Sequence, residues 1–473
     1  MAFNASEFVL DTGVLGGFGF LAGWTGSVLP IRISGSRADP PKFEEHLGAC
    51  GCALGLIIDL LPKSTSFGFR MASRYVVIMA GGKGERFWPA SRTKRPKHLL
   101  PIVGDKPMLT QTVDRLDGFI PAKNIFIITN SEQVEGVREV CPNLPIDNIV
   151  AEPVGRDTAA AVGLAMLLIK RLDPEAALAM LPADALIKDR EGFQRSLSAA
   201  FLAAEESPRL VTIGIDPTEP ATGYGYIHKG EPVSECGGIE ICKVEEFKEK
   251  PDLETAKSYL FSGKYAWNAG MFVWSVKAIS VALSKFTPIL KRGLDEIERR
   301  LQGGDALGPL LLELYPDLEK ISIDFAVMEQ ADNVVTLAAT FDWDDVGSWP
   351  AIERHFPSDE AGNVSDGSAF FEDSQGNITV SDSGHTIALV GVEDLIVVNT
   401  GDATLVCKKS EAEKINLSLK DELDAHSARV SYSFAVGAPA YSRSSVVATK
   451  CDTVRHSAAG KGRAIRSVEN RSP

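Results

Sequence analysis

Through the middle of the chain, hydrophobic residues fall into short runs punctuated by glycine and charge, and the pattern changes at both ends. Tyr75–Ala80 is an apolar run that stops at Gly81-Gly82, as a buried parallel strand does when it enters a loop. Asn124–Thr129 predicts a second strand, followed by a polar helix from Ser131. Asp157-Thr158 are placed to cap a helix that carries Ala-Ala-Ala-Val-Gly-Leu-Ala-Met-Leu-Leu-Ile. Ala177–Leu181 and Leu210–Ile215 predict further strands, and Ile239–Phe247 alternates as a half-exposed strand does. Strand and helix alternate, which argues for an α/β fold: a mixed, mostly parallel sheet with helices on both faces. Beyond about Gly362 the helical patterns thin out. The short runs starting at Ile378, Thr386, Leu395 and Thr404 predict strands separated by Gly, Asp, Ser and Asn. They read as a small all-β domain, or a few coils of a β-helix without a strict repeat period.

The ends read differently. Thr12–Ile31 carries no charge, but it contains six glycines and a proline and no basic residue precedes it, so no membrane segment is expected. Met71 opens the first good strand, and residues 1–72 read as an extension that is not part of the native protein. From Asp424 to Pro473 eight Lys/Arg stand against three acids, in a Ser/Ala-rich segment without period, which reads as a basic, loosely ordered tail. The expected organisation is therefore an extension to 72, an α/β domain over 73–355, a β domain over 360–423 and the tail.

At 473 residues the chain is too long for one ordinary core. A formal charge of −14 argues against a general nucleic-acid coat, so any phosphate must be met by local cations and backbone N–H groups. Seven scattered cysteines make no disulfide framework, and Cys50-Gly-Cys52 is too short a pair for a zinc site. A reducing, cytoplasmic setting is expected. Against this acidity, Gly81-Gly82-Lys83-Gly84-Glu85-Arg86 directly follows the first strand, and Arg92, Lys94, Arg95 and Lys97 come soon after. Glycines let backbone N–H groups approach an anion, while guanidinium and ammonium groups suit a triphosphate. The loop is neither the dinucleotide fingerprint nor a P-loop, and its spacing alone is a weak signal.

Val77-Ile-Met-Ala-Gly-Gly-Lys-Gly-Glu-Arg-Phe-Trp-Pro-Ala-Ser-Arg, then Arg95-Pro-Lys-His-Leu, resembles the signature of the sugar-nucleotide pyrophosphorylases. The Phe-Trp-Pro-x-Ser-Arg variant is most similar to the mannose-1-phosphate guanylyltransferase branch. Four later segments agree in order: Glu152-Pro-Val-Gly-Arg-Asp-Thr-Ala; Leu181-Pro-Ala-Asp184; Glu249-Lys250-Pro251 with Trp267-Asn268-Ala-Gly270; and Ser322-Ile-Asp-Phe-Ala-Val-Met-Glu329 followed by Trp343-Asp-Asp345-Val-Gly-Ser-Trp349. The resemblance spans about residues 74–350 and continues weakly to about 420. It implies a Rossmann-like nucleotidyltransferase domain of GT-A-like type, with a C-terminal β domain that could be a left-handed β-helix.

The resemblance also implies roles. Arg86 and Lys97 would meet the triphosphate and Lys250 the phosphate of the sugar, these three being the catalytic candidates. Gly81, Gly82 and Gly84 would line the nucleotide. Glu152, Arg156 and Thr158 are candidate nucleotide contacts. Glu249, Asn268 and Gly225 would face the sugar, with Trp267 and Phe272 read as core. Asp184 and Asp345 would share Mg²⁺, with adjacent Asp344 as the alternative ligand. Three departures stand out: Glu85 where Thr is frequent, Ala185 where His is usual, and Ala269 where Ser is usual.

The chemistry implied is attack of a sugar 1-phosphate on the α-phosphorus of a nucleoside triphosphate. The attacking oxygen already belongs to an anion, so positioning and charge neutralisation matter more than a strong base. GTP and mannose 1-phosphate are the expected substrates on resemblance. The alternatives are a related transferase for another base, sugar or alditol phosphate, or a non-catalytic subunit that binds GDP-mannose. No nucleic acid is expected as a partner, and a homodimer stays open. The region after 362 is too short for a fused isomerase domain, which favours a monofunctional transferase.

Overall fold

The computed structural model describes residues 73–82, 84–382 and 384–415. Contacts divide the chain into two units, Met1–Arg70 and Met71–Pro473, and every described residue belongs to the second. The readings of the extension, of Cys50-Gly-Cys52, of Lys83 and of the tail lie outside the described residues.

Fifteen described strands run in chain order: β1 (Arg74–Ala80), β2 (Ile125–Asn130), β3 (Ile149–Glu152), β4 (Ala177–Pro182), β5 (Leu210–Ile215), β6 (Tyr226–Cys236), β7 (Ile239–Lys248), β8 (Tyr265–Ser275), β9 (Val334–Ala338), β10 (Val364–Asp366), β11 (Ala369–Glu372), β12 (Ile378–Ser381), β13 (Ile387–Val390), β14 (Leu395–Asn399) and β15 (Thr404–Lys408). The first nine form one sheet in the order β3-β2-β1-β4-β8-β5-β9-β7-β6. The pairings make β7 and β8 run against the other seven, so the sheet is mixed and mostly parallel, as expected.

Alternation along β1 explains why the sheet is covered on both faces. Tyr75 and Val77 enter one buried cluster, and Val76 and Ile78 enter the other. The first cluster is closed by α3 (Asp157–Leu172), α6 (Val276–Phe286) and α7 (Pro288–Gln302), the second mainly by α4 (Arg190–Glu206). The remaining helices are α1 (Met108–Asp114), α2 (Val134–Val140), α5 (Leu253–Ser262) and α8 (Leu307–Leu314). α7 is amphipathic, burying Leu290, Leu294, Ile297 and Leu301 on one stripe. A Cβ on Gly163 of α3 would stand 2.3 Å from Leu294 Cδ1, so the close approach of α3 and α7 depends on glycine.

Three local expectations shift. The polar helix starts at Val134, because Asn130 Oδ1 accepts the Glu132 N–H at 3.0 Å and holds the preceding residues in a turn. Asp157 is the first residue of α3, with φ 64°, and Arg156 occupies the cap position without a side-chain bond. Strands β3, β6, β8, β9, β10 and β11 are additional to the strands read from the pattern.

After β9 the chain builds parallel coils. β10, β12 and β14 stack in register through Val364, Ile378 and Ile396, and β11 pairs with β13. Asn377 joins the coils at a corner: it donates to Asn363 Oδ1 at 2.9 Å, and its Oδ1 accepts the Leu395 N–H at 2.9 Å. β15 closes this part antiparallel to β14. The coil interior is continuous with the loops that follow β1, β4 and β9. Ile378, Ile396, Val398, Leu405, Ala412 and Ile415 share one buried cluster with Phe87, Leu186, Val346 and Trp349.

Among the described residues no helix is long and apolar enough to cross a membrane.

Candidate active site

The parallel strands deliver their following loops to one edge of the sheet, where open α/β folds bind ligands. A cavity of about 330 Å³ opens there, lined by Gly84, Arg86, Lys97, Asp184, Asp345 and Gly347, with Glu85 and Phe87. Gly84 has φ 61°, and a Cβ on it would lie 2.5 Å from Lys97 N and 2.6 Å from Lys97 Cβ. Glycine is thus required twice over, by handedness and by contact with Lys97. The Lys97 side chain is only 7% exposed; its ammonium reaches Asp184 Oδ2 at 2.9 Å and donates to the Asp345 carbonyl at 2.5 Å.

Two residues far apart in sequence meet because the loop after β9 pairs with the loop after β4. Leu186 N–H donates to Asp344 O at 2.8 Å and Asp344 N–H to Leu186 O at 3.0 Å. This bridge brings Asp345 beside Asp184. Val346 follows with φ 45°, a costly conformation for a buried β-branched residue. Asp157 (φ 64°) and Lys250 (φ 45°) are strained in the same sense, and both line the second cavity described below.

Electrostatics separates the two adjacent carboxylates. Burial alone would raise the Asp344 carboxyl. Hydrogen bonds from Arg354 at 2.7 Å to each oxygen and from the Val346 amide reverse this and hold it below the usual range. His355 Nε2 lies 2.8 Å from the same carboxylate. Asp345 is instead pushed up, chiefly by burial and by the charges of Asp184 and Asp344, against the opposing pull of Lys97 and Arg86. At Asp184 burial is outweighed by the charge and hydrogen bond of Lys97, and its carboxyl lies below the ordinary value. Asp344 is therefore committed to Arg354 and His355, and Asp345 is the member that faces the cavity. No group of three or more metal-ligating side chains occurs among the described residues, so a hard cation here would complete its shell with water and phosphate oxygens.

Toward β3, a Cβ on Gly81 would lie 3.6 Å from Glu152 Oε2. Glu152 is buried and accepts a hydrogen bond from the Tyr315 hydroxyl. Burial raises its carboxyl, with that bond in partial opposition. The charge of Arg156 acts on Tyr315, and Arg156 Nε is buried with no hydrogen-bond partner among the described residues.

A second cavity, of about 600 Å³, is lined by Asp157, Thr158, Glu249, Lys250, Lys320 and Asp324, with Ile321, Ser322 and Phe325. Glu249 pairs with Lys250 at 3.1 Å. A Cβ on Gly225 would stand 2.6 Å from Glu249 Oε2, so this glycine makes room for that carboxylate. Asn268 donates to Asp324 Oδ1 at 2.9 Å and accepts the Gly270 N–H at 3.0 Å. Burial raises the Asp324 carboxyl to about 6, with the charge of Glu249 adding to the effect. Two lysines and the N-terminus of the sixteen-residue α3 here stand among three carboxylates, Asp157, Glu249 and Asp324.

Residues 75–362 match the model of the nucleotidyl transferase family. The chain belongs to that family. Residues 371–419 match the mannose-phosphate isomerase/GMP-like β-helix domain, in keeping with the coils of β10–β14. A mannose-1-phosphate guanylyltransferase of Klebsiella pneumoniae is 36% identical over 348 residues, 73% of each chain. One of Escherichia coli K12 is 36% identical over 353 residues, 72% of each chain. Among solved structures, a protein of Thermus thermophilus titled mannose-1-phosphate geranyltransferase is 35% identical with a TM-score of 0.65. That match covers 74% of this chain and 99% of the other.

Within this nucleotidyl transferase the expected site residues fall into three groups. Gly84, Arg86, Lys97, Asp184 and Asp345 share the first cavity. Gly81, Glu152 and Arg156 gather around Tyr315. Gly225, Glu249, Lys250 and Asn268 gather at the second cavity. Gly82 lies beside the first strand with no atom within 4 Å of where its Cβ would be. Thr158, expected with the nucleotide contacts, instead lines the second cavity, where its hydroxyl accepts the Ile323 N–H at 2.8 Å. Arg92, read with the triphosphate cations, spends its guanidinium on Asp402 at 2.9 Å and thereby ties the loop to the coils. Trp267, Phe272, Ala185 and Ala269 are buried.

Sequence reasoning gave no role to Tyr315, Asp324, Arg354 or His355. Only Asp324 carried a signal, standing inside a quoted motif.

Proposed function

We propose that this nucleotidyl transferase makes GDP-mannose and pyrophosphate from GTP and mannose 1-phosphate. The reading is supported above all by the meeting of Asp184 and Asp345 beside Lys97 and Arg86, at the glycine loop. The names of relatives that match most of the chain support the choice of base and sugar.

Arg86 and the glycine-loop amides are placed to hold the triphosphate, and Lys97 to stand over the α-phosphate as charge accumulates. Lys250, with Lys320 and the first turn of α3, holds the sugar phosphate, while Glu249 and Asn268 face hydroxyls. The phosphate oxygen attacks the α-phosphorus, the bond to the β-phosphate oxygen breaks, and pyrophosphate leaves without a proton transfer. Asp184 and Asp345 fit a divalent cation: two carboxylates line one cavity, and one of them is held above its ordinary range by burial and by the charges of its carboxylate neighbours, which a hard cation would offset. Bound there, Mg²⁺ would neutralise charge developing on the phosphates. Catalysis then consists of bringing two anions into line and offsetting their charge.

The test offers the full chain Mg²⁺ and mannose 1-phosphate with GTP, UTP, dTTP, CTP or ATP, reading pyrophosphate and product mass. GDP-mannose from GTP alone is expected, and Asp184→Asn should lower kcat/KM by about 10²–10³-fold. Another product would move the specificity, and full activity of Asp184→Asn would overturn the metal assignment.

A further inference from the structure

Glu413 stands at the end of the described chain, on a helical turn (Lys409–Lys414) that follows the coils. Its neighbours Ala412 and Ile415 are buried in the cluster shared by the coils and the catalytic loops, and Lys409 pairs with Glu353. The turn is thus anchored, while the Glu413 side chain is 67% exposed. Its carboxylate reaches back to two catalytic loops at once. Oε2 lies 3.3 Å from Arg86 Nε, and Oε1 accepts the Ser348 hydroxyl at 3.0 Å. Ser348 is three residues beyond Asp345.

The point of contact matters. Glu413 takes the inner nitrogen of Arg86. Nη1 meanwhile lies near Gly347: a Cβ there would be 3.6 Å from Arg86 Nη1 and 3.0 Å from Asp345 Oδ2. Nη1, a terminal nitrogen that can grip phosphate, therefore lies beside Gly347 on the cavity wall while the carboxylate meets the guanidinium at Nε. Arginine has many rotamers, and fixing one before the ligand arrives lowers the ordering cost of binding.

We propose that Glu413 is a positioning residue for the nucleoside triphosphate, orienting Arg86 from the coil domain and linking it to the loop of Asp345. The inference rests on the function proposed above. Glu413 and phosphate share Arg86; they do not compete for it.

The test compares wild type, Glu413→Ala, Glu413→Gln, Ser348→Ala, Arg86→Ala and Arg86→Ala with Glu413→Ala, all as the full chain. GTP binding with Mg²⁺ is measured by calorimetry without sugar phosphate, and kcat and KM by pyrophosphate release. Glu413→Ala should weaken GTP binding and raise its KM about three- to fivefold, the size of an exposed ion pair. The kcat, the KM for mannose 1-phosphate and the Tm should stay near wild type. Glu413→Gln should recover only part of the loss, because its single amide oxygen can replace either the Oε2 that meets Arg86 or the Oε1 that accepts from Ser348, and the charge is gone. Ser348→Ala should reproduce part of the loss, and Glu413→Ala should add nothing where Arg86 is already Ala.

Unchanged GTP binding in Glu413→Ala would overturn the proposal. Tighter binding would do so too, making Glu413 a competitor of phosphate. A fall in Tm with Gln no better than Ala would reduce the contact to a structural one. A wild type that turns over none of the five triphosphates would defeat the functional reading itself; an active wild type matched by Glu413→Ala defeats only this inference.

Discussion

Gly84→Ala is the most incisive single change. Gly84 adopts φ 61°, and an added Cβ would lie 2.5 Å from Lys97 N, where ordinary contact begins at about 3.4 Å. The loops must separate by about 0.9 Å, and the obstruction is backbone, which cannot rotate away. The left-handed conformation costs a side chain about 1–2 kcal/mol, and overpacking adds about 1–3 kcal/mol. The sum is about 2–5 kcal/mol, large for a point substitution. The displacement falls on Lys97, whose ammonium holds Asp184 at 2.9 Å and the Asp345 carbonyl at 2.5 Å. A shift near 1 Å in a positioned group can cost about 10²-fold in rate. Gly84→Ala should therefore lower both Tm and kcat/KM, measured by thermal unfolding and pyrophosphate release. Gly82→Ala is the control for stability, since its Cβ meets no atom within 4 Å, and its Tm should match wild type. A Gly84→Ala protein with wild-type Tm and kcat/KM would refute the packing argument. A lowered Tm with intact kcat/KM would refute the link from Gly84 through Lys97 to catalysis.

Two other predictions concern the carboxylates. Asp345→Asn should raise the Mg²⁺ concentration needed for half-maximal rate and lower kcat/KM by about 10²-fold, whereas Asp344→Asn should leave the Mg²⁺ requirement unchanged and cost about 1–3 kcal/mol of stability through Arg354 and His355; Mg²⁺ titrations and chemical unfolding of both variants check this. Asp324 titrates near 6 in the folded protein against 3.8 ordinarily, so the folded state binds the extra proton and stability falls as pH rises from about 4 to about 6, the loss persisting above. Ionised Asp324 also joins Asp157 and Glu249 against the cations Lys250 and Lys320, so the KM for mannose 1-phosphate should rise through pH 6. In Asp324→Asn both slopes should shrink, with the substrate's own titration common to both proteins; an unchanged pH profile would contradict the assignment.

Much of the fold was legible because its signals are local. The run Tyr75–Ala80 ending in glycines, the alternation of Ile239–Phe247 and the short apolar runs after residue 362 all became strands. Burial on one or both faces leaves a period in the chain itself. β8 was less legible because it lies antiparallel between β4 and β5, with a register shift beside Asn268, and its mixture of aromatic and small residues keeps no clear period. Residue type likewise announced the cations and carboxylates that phosphate chemistry requires.

The order of residues along the chain thus dictates the alternation of elements, the glycine loop and the kinds of side chain available to the site. Which of them act together is settled in three dimensions. Asp344 and Asp345 are neighbours in sequence with the same chemistry, and the bridge to Leu186 sends one to Arg354 and the other to the cavity. Arg86 and Arg92 come from one basic stretch, yet Arg86 lines the cavity and Arg92 is taken by Asp402 of the coils. Thr158 adjoins the nucleotide candidates in the chain and faces the second cavity in the fold. Periodicity records how each residue meets its own element, whereas long-range pairing leaves no local trace, because it depends on which loops the sheet carries to the same edge.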